Sequence, residues 1–116
     1  MIKTELYFGR HISSNKTSPA EKIRRKSAGK LSDTVSKGEI EEFLSDLVSL
    51  HFPGFTVLHG QGYWQGKPED CFVVVILHED KPTDNNMLND IVGYYKEAYY
   101  QDTVLRIDSE VNANFI

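Results

Sequence analysis

The stretch "CFVVVILH", residues 71–78, carries an apolar side chain at every position from 71 to 77. A half-buried strand alternates apolar and polar residues, whereas a strand covered on both faces is apolar throughout. We therefore expect residues 71–78 to form a central strand with both of its faces covered.

The segments before this strand predict a strand, a helix and a second strand. Residues 1–12 alternate between apolar and polar side chains, as a half-buried strand does. The motif SKGE at 36–39 is a capping box that begins an amphipathic helix. The strand-like segment "FTVLHGQGYW", residues 55–64, contains Gly60 and Gly62, which predict a bulge or a close backbone approach.

A helix and a strand follow residues 71–78. Thr83 or Asp84 is expected to cap the helix. The segment "DTVLRIDSEV", residues 102–111, alternates again, so we expect Leu105 and Ile107 to point into the core and its charged residues to point outward.

This order of elements, β-α-β-β-α-β, predicts an α+β fold of the ferredoxin-like type. Such a sandwich has a four-stranded antiparallel sheet in the order 4-1-3-2, with two helices on one face. Residues 1–116 are expected to form a single domain, with 13–35 as a basic, partly helical insertion after the first strand. In that insertion Ser18 is the expected helix cap and Gly29 the expected stop.

The composition limits the class of protein. A chain of 116 residues with a net charge of −4 and 40% hydrophobic residues is typical of one soluble domain. Cys71 is its single cysteine, so an intrachain disulfide is excluded, and its apolar neighbours predict a buried thiol. The strand-like start leaves no room for a signal peptide, and we expect a cytoplasmic protein without a membrane segment.

Positive charge is concentrated in one segment. Residues 10–30 contain seven basic residues and one acidic residue, a local charge of +6 in an acidic chain. This segment is expected to be a solvated loop, a lid that carries Arg24, Arg25 and Lys26 to a small anionic ligand over the sheet, or a docking element for an acidic partner. The helix predicted in this segment has a thin apolar face made of Ala20, Ile23 and Ala28. We therefore expect it to be marginally stable unless this face docks against the rest of the chain.

Three motifs carry a resemblance to a known family. They are "TELYFG" at 4–9, "FPGFTVLHGQGYW" at 52–64 and "QDTVLRID" at 101–108. In this order they resemble an uncharacterised bacterial family, domain of unknown function 3574. The resemblance supports the fold and implies no activity. Many members of the family look like secreted lipoproteins, whereas this sequence shows neither a leader nor a lipobox.

Seven residues are candidates for ligand binding. Arg106 is expected on the exposed side of the sheet, where it pairs with Glu5 across strands or clamps a carboxylate or phosphate. Tyr7, His11 and Trp64 are expected on the same side of the sheet. The full set of candidates is Arg24, Arg25, Lys26, Arg106, Tyr7, His11 and Trp64.

The sequence lacks the patterns of several functional classes. Its four histidines have no metal-ligand spacing, and no nucleophile–base pair is recognisable, so we expect no catalytic residues and no metal or other cofactor. The third strand lacks the aromatics of an RNA-recognition module, which makes nucleic acid an improbable partner.

These observations lead to one function and one alternative. We expect a non-enzymatic, homo-oligomeric module that binds a small anionic ligand, nucleotide or phosphate-like, or an acidic partner. It would do so through the basic insertion and the open sheet face. The alternative is a small enzyme of the dimeric α+β-barrel type, with His11, Tyr7 or Trp64 around an organic substrate.

Overall fold

The computed structural model describes residues 1–13, 16–31 and 33–116. Helix α2 spans residues 37–51 and combines α-helical Lys37–Glu42, π-helical Phe43–Val48 and α-helical Ser49–His51. The other elements are β1 (Ile2–Gly9), α1 (Pro19–Ser27), β2 (Thr56–Trp64), β3 (Lys67–His78), α3 (Pro82–Ala98) and β4 (Leu105–Glu110).

The four strands form one sheet in the order β2-β3-β1-β4. Every neighbouring pair is antiparallel. The first and third strands therefore lie at the centre, which is the position predicted for them. The register places Leu6 of β1 opposite Val74 of β3 on one side and opposite Arg106 of β4 on the other.

The hydrophobic core lies between the sheet and the helices. Phe8 and Phe72 stack with their ring centroids 5.1 Å apart, and Phe43 of α2 meets Phe8 edge-on at 5.3 Å. Tyr95 of α3 is fully buried against Phe8, and its hydroxyl donates a hydrogen bond to the carbonyl of Gly9. Aromatic packing of this kind contributes beyond area burial and fixes both helices against β1.

The ends of α1 follow local rules. The Ser18 side chain accepts from the Glu21 amide while the Glu21 carboxylate accepts from the Ser18 amide, which confirms the predicted capping box. Gly29, with φ +78°, takes the left-handed conformation after the last turn. The Lys30 amide then donates to the carbonyl of Arg25, as in a Schellman motif.

Helix α2 contains a π-helical turn that the sequence does not predict. The capping box at Ser36 and Glu39 is present, and the helix ends before Pro53 as expected. In its middle, the backbone amide and the hydroxyl of Ser49 both donate to the carbonyl of Leu44, five residues earlier. A serine hydroxyl that donates to a helix carbonyl competes with the α-helical backbone hydrogen bonds. This competition accounts for the wider, π-helical turn.

Three smaller predictions are wrong. Helix α3 begins at Pro82 with Lys81 as its cap residue, not at a cap formed by Thr83 or Asp84, because proline is preorganised for the first helical position. The pairing of β2 with β3 is continuous through Gly60 and Gly62, with no bulge. A side-chain carbon added at either glycine would meet nothing within 4 Å.

One face of the sheet has no helices over it. The strand residues of the described core come only from the other, helix-facing parity. On β3, Val74 and Ile76 are fully buried, whereas Val73 and Val75 are half-buried and Leu77 is 38% exposed. The expectation that residues 71–78 are covered on both faces is therefore wrong for the single chain, and Cys71 on the same parity is half-buried rather than buried.

No helix in residues 1–13, 16–31 and 33–116 is long and apolar enough to cross a membrane.

Candidate functional site

Helix α1 is attached to the rest of the chain through Arg25. Both terminal nitrogens of Arg25 donate to the Glu39 carboxylate, each at 3.0 Å, and both side chains are almost fully buried. The Arg25 Nε also donates to the carbonyl of Leu31 at 2.8 Å. A bidentate pair satisfied in this way fixes the orientation of the helix.

Glu39 is ionised for a definite electrostatic reason. Burial alone would raise the pKa of its carboxyl group, but hydrogen bonds from Arg25 and Ser36 and the charge of Arg25 outweigh burial and lower the pKa. Glu39 was predicted only as a capping residue, and its pairing with Arg25 was missed. Ala20, Ile23 and Ala28 are all exposed, so the prediction that α1 docks through these apolar residues is wrong. The helix is held instead by the Arg25–Glu39 ion pair.

The other basic residues of α1, together with Lys30 in the turn after it, lie at the surface. We call Lys22, Arg24, Lys26 and Lys30 the basic surface. Arg24, Lys26 and Lys30 are exposed, and Lys22 is half-buried. Apart from the 4.0 Å approach of Lys30 to Glu39, these four make no ion pair within the described residues. The basic surface therefore keeps most of its charge available to an anion.

A cavity of about 230 Å³ borders the basic surface. Arg24 and Lys30 line it from α1 and the following turn, and Tyr94, Tyr99 and Tyr100 line it from the end of α3. Burial raises the pKa of Tyr99 to about 12, so its phenol stays protonated and donates to the Glu39 carbonyl at 3.4 Å. Glu21 and Glu39 also line the cavity, so cationic side chains, carboxylates and tyrosines meet there.

The position of this cavity corrects one prediction. Helix α1 packs against α2 and the end of α3, as the Arg25–Glu39 pair and the cavity lining show. It belongs to the helix layer and does not lie over the sheet. The predicted lid over the sheet is therefore wrong, because the buried charge of Glu39 holds α1 on the opposite side.

The face of the sheet without helices is mostly apolar. We call the strand positions that share the parity of Tyr7 the open face. Strand pairing aligns them in rows across the sheet. One row holds Leu58, Val73, Tyr7 and Leu105, and the next holds Thr56, Val75, Glu5 and Ile107. Leu58 and Leu105 are each 57% exposed, so apolar side chains on both edge strands of this face meet solvent.

The charges on the open face balance. Its strand positions include two basic residues, Lys3 and Lys67, and two acidic residues, Glu5 and Glu69. The Tyr7 hydroxyl donates to the Glu5 carboxylate at 3.2 Å, and this contact and burial raise the pKa of Tyr7. A face with equal numbers of opposite charges does not repel a copy of itself.

An apolar groove of about 610 Å³ continues the open face at one end. Val75 and Leu77 form its floor on β3, and Phe52 and Phe55 border it from the loop after α2. Apolar lining of this size adds to the surface that a partner would cover.

Arg106 lies on the opposite side of the sheet from its predicted position. It is paired with Leu6, on the helix-facing parity, whereas Glu5 is paired with Ile107 on the open face. The Arg106 Nε donates to Asp108 at 3.1 Å, and its Nη2 donates to the Asn85 side chain of α3 at 2.8 Å. The predicted Glu5–Arg106 pair is therefore wrong, and the alternation of β4 is inverted.

The remaining candidates do not converge. Arg24 and Arg25 line the cavity beside α1, and Lys26 lies in the same helix. His11 lines a separate cavity of about 390 Å³ with Arg10, at the end of β1. Tyr7 lies at the centre of the open face, and Trp64, 69% exposed, shares that parity opposite Lys67 at the tip of the β2–β3 hairpin, as predicted.

Within the described part of the chain, no group of three or more His, Cys, Asp or Glu side chains is arranged to hold a metal ion. The geometry therefore offers two surfaces of different chemistry, the basic surface on the helix layer and the open face of the sheet.

Comparison with known proteins identifies a family and finds similar solved structures. The family described as "Protein of unknown function (DUF3574)" matches residues 3–115. No curated protein gives a significant sequence match. Among solved structures, the "De novo designed protein Foldit4" is similar, with 16% identity, a TM-score of 0.48, and 96% of this chain and 98% of that chain covered.

Proposed function

The chain belongs to the DUF3574 family of proteins of unknown function, and we propose that it is a non-enzymatic binding module. In this proposal it has the ferredoxin-like βαββαβ arrangement with a basic insertion after β1. Two copies pack together through the open face, and each copy binds a small anionic ligand, nucleotide or phosphate-like, at the basic surface.

The observation that carries the proposal is the apolar open face. Its exposed residues include Leu58, Leu77, Leu105 and Ile107. A contiguous apolar surface that meets water often marks an interaction site. The run of apolar residues at 71–78 supports the same conclusion, because the parity of Val73 and Val75 needs a cover that the single chain lacks.

The area of the open face suits a dimer. Four strands spaced about 4.8 Å apart and eight residues long, at about 3.3 Å each, give roughly 500 Å² in projection. Side-chain relief makes the accessible area larger. Two such faces together give roughly 1,000 Å² in projection, and side-chain relief brings this towards the range of about 1,200–2,000 Å² that specific interfaces bury. A second copy is also electrostatically compatible, since Lys3 and Lys67 are matched by Glu5 and Glu69.

Anion binding rests on the basic surface. Arg25 is occupied by Glu39 and acts as the positioning residue of α1. Arg24 and Lys26 then supply the charge, and Arg24 also lines the cavity with three tyrosines. Phosphate and carboxylate groups accept charge-assisted hydrogen bonds from such cationic side chains.

The separation of the polar candidates favours binding over catalysis. The alternative, a small enzyme of the dimeric α+β-barrel type, needs His11, Tyr7 and Trp64 around one substrate. Within one chain, these three lie beside a cavity at the end of β1, at the centre of the open face and at a hairpin tip. A binding module requires no such convergence.

Sedimentation equilibrium with a matched pair of variants tests the dimer. Leu58→Glu places a carboxylate on the open face, and Leu50→Glu makes the same change at a leucine of α2 that is 79% exposed. Burial of an unpaired carboxylate costs several kcal/mol, so we expect Leu58→Glu to raise the dimer dissociation constant at least ~100-fold. Leu50→Glu leaves it unchanged. A monomeric wild-type chain, or equal effects of the two variants, would contradict the proposal.

Titration with inorganic phosphate and with adenosine monophosphate, followed by NMR, tests the anion site. Arg24→Gln combined with Lys26→Gln removes two charges from the basic surface. Lys37→Gln combined with Lys96→Gln removes two charges elsewhere and is the control. We expect the first pair to weaken anion binding about fivefold or more and the control to leave it unchanged, since each exposed charge contributes ~1 kcal/mol or less. Equal weakening, or binding of an acidic peptide but neither anion, contradicts the small-ligand proposal.

A further inference from the structure

A row of hydrogen-bonded polar groups runs from the interior to the surface where β1, β3 and β4 meet the start of α3, and its outer member, Asp108, is 44% exposed. Thr4 is fully buried and His78 is 6% exposed. The Thr4 hydroxyl lies 2.6 Å from the His78 Nε2 and 2.6 Å from an oxygen of Asp108. The His78 Nδ1 lies 2.8 Å from the carbonyl oxygen of Glu79. Neither proposed binding surface uses these groups.

The number of hydrogens available to Thr4, His78 and Asp108 determines their protonation. The Glu79 carbonyl can only accept, so the His78 Nδ1 must carry a hydrogen. The Thr4 hydroxyl has one hydrogen and two short contacts. If Thr4 donates to Asp108, the His78 Nε2 must also carry a hydrogen, and the imidazole is a cation. If Thr4 donates to His78, then Asp108 must be protonated and donate to Thr4.

Both arrangements contain the same number of protons. A neutral imidazole beside an ionised Asp108 has one proton fewer and leaves one of the three contacts without a hydrogen. In the Nδ1–H tautomer this is one of the two 2.6 Å contacts, and in the Nε2–H tautomer it is the 2.8 Å contact with the Glu79 carbonyl. An unmade hydrogen bond at a buried site costs free energy. The three hydrogen bonds therefore depend on one shared proton.

The charged neighbours favour the cationic arrangement. Asp84 of α3 approaches the His78 Nδ1 to 3.9 Å, and Arg106 of β4 donates to Asp108. Glu79 directs its carboxylate to Lys81. Burial alone would raise the pKa of Asp108, but hydrogen bonds from Thr4 and Arg106 and nearby positive charge outweigh burial and lower it.

We propose that Thr4, His78 and Asp108 hold one shared proton in the folded protein, so that folding weakens as this proton is lost above neutral pH. The unfolded chain releases the same proton near the ordinary histidine pKa of about 6.5. Below that pH both states bind it and the stabilisation is complete. Above it the folded state binds one proton more, so stability falls as the pH rises.

Urea unfolding at fixed protein concentration, between pH 6 and pH 9, tests the proposal. Thr4→Val keeps the shape of the side chain but removes the hydroxyl, and Thr4→Ser keeps the hydroxyl as the matched control. The other histidines are common to all three chains and cancel. For wild type and Thr4→Ser we expect the folding constant to fall by up to tenfold per pH unit above about pH 6.5. For Thr4→Val we expect a flat profile.

NMR of the wild-type imidazole gives a second measurement that needs no variant. At pH 7.5 we expect both nitrogens of His78 to carry hydrogens, or Asp108 to be protonated. A Thr4→Val profile as steep as that of wild type overturns the proposal. So does a neutral His78 beside an ionised Asp108 at that pH. Neither result depends on the dimer or on the anion site.

Discussion

The two faces of the sheet differ in how far their side chains are buried and paired. On the helix-facing side, apolar residues such as Val74 are fully buried, and charged residues are paired within the chain, Arg25 with Glu39 and Arg106 with Asp108. On the open face, Leu58 and Leu105 are more exposed than buried. These charges of the helix-facing side are therefore paired within the chain, whereas the open face leaves apolar side chains in contact with solvent.

The largest expected effect tests whether the helix-facing side is internally satisfied. Arg25→Met leaves the Glu39 carboxylate buried and unpaired, and we expect the free energy of unfolding to fall by about 3 kcal/mol. Arg24→Met, at the exposed neighbouring position, should change it by less than about 0.5 kcal/mol. Urea denaturation of both variants measures the difference. Equal losses would show that the Arg25–Glu39 pair does not hold α1.

A neighbouring pair of valines compares the two faces directly. Val74→Thr places a hydroxyl in the core, whereas Val73→Thr places the same group on the open face. We expect a loss of about 2 kcal/mol for the first and little change in monomer stability for the second. Chemical denaturation at concentrations where the chain is monomeric gives both values. If Val73→Thr costs as much as Val74→Thr, the open face is covered within one chain.

A smaller effect is expected from the phenol of Tyr95. Its hydroxyl donates to the carbonyl of Gly9, so Tyr95→Phe removes one buried hydrogen bond at a cost of about 1 kcal/mol. Tyr94 is 49% exposed, and Tyr94→Phe is the control with no expected effect. The melting temperatures of the two variants distinguish them. An unchanged melting temperature for Tyr95→Phe would show that the hydrogen bond to Gly9 does not stabilise the packing of α3 on β1.

The smallest effect is on the acid side of the stability profile. Since the folded-state pKa of Glu39 is lowered from 4.5, its ionisation stabilises the fold above about pH 4.5. That contribution is lost as the pH falls through the lowered value. We expect the decline of wild-type stability below pH 4.5 to be shallower in Arg25→Met and unchanged in Arg24→Met. Identical acid profiles in all three chains would exclude this linkage.

The elements that local signals define were predictable from the sequence. The capping boxes at Ser18 and Ser36 and the stop at Gly29 appear where expected, because each depends on residues within one turn. The central position of β3 also follows from its own run of apolar residues. These signals need no knowledge of distant contacts.

The wrong predictions concern residues whose alternation is clear from the sequence but whose side of the sheet is not. Alternation in β4 separates Leu105 and Ile107 from Arg106 and Asp108, but it does not say which set faces the helices. The inward choice was wrong because the apolar set lies on the open face. Likewise, the sequence does not distinguish Arg24 from Arg25. Only the position of Glu39 shows that Arg25 forms the buried ion pair and that Arg24 stays on the surface.

The functional residues missed from the sequence had one available signal. Val73 and Val75 belong to a run that is apolar on both parities, and this run indicates that both faces of β3 are covered. The homo-oligomer predicted from the sequence uses the open sheet face, and we propose that this second cover of β3 is a second copy of the chain. His78 and Thr4 gave no such signal, because their contact joins residues 74 positions apart.

The reactivity of Cys71 tests the central claim most directly. This thiol lies on the open face, paired with Gly9 on one side and Gly60 on the other, and it is the single cysteine of the chain. We would measure its rate of alkylation over a range of protein concentrations. The account predicts that the rate falls as concentration rises, in step with dimer formation in the ultracentrifuge. A rate that stays constant while the dimer forms would place the interface on another surface and contradict the account.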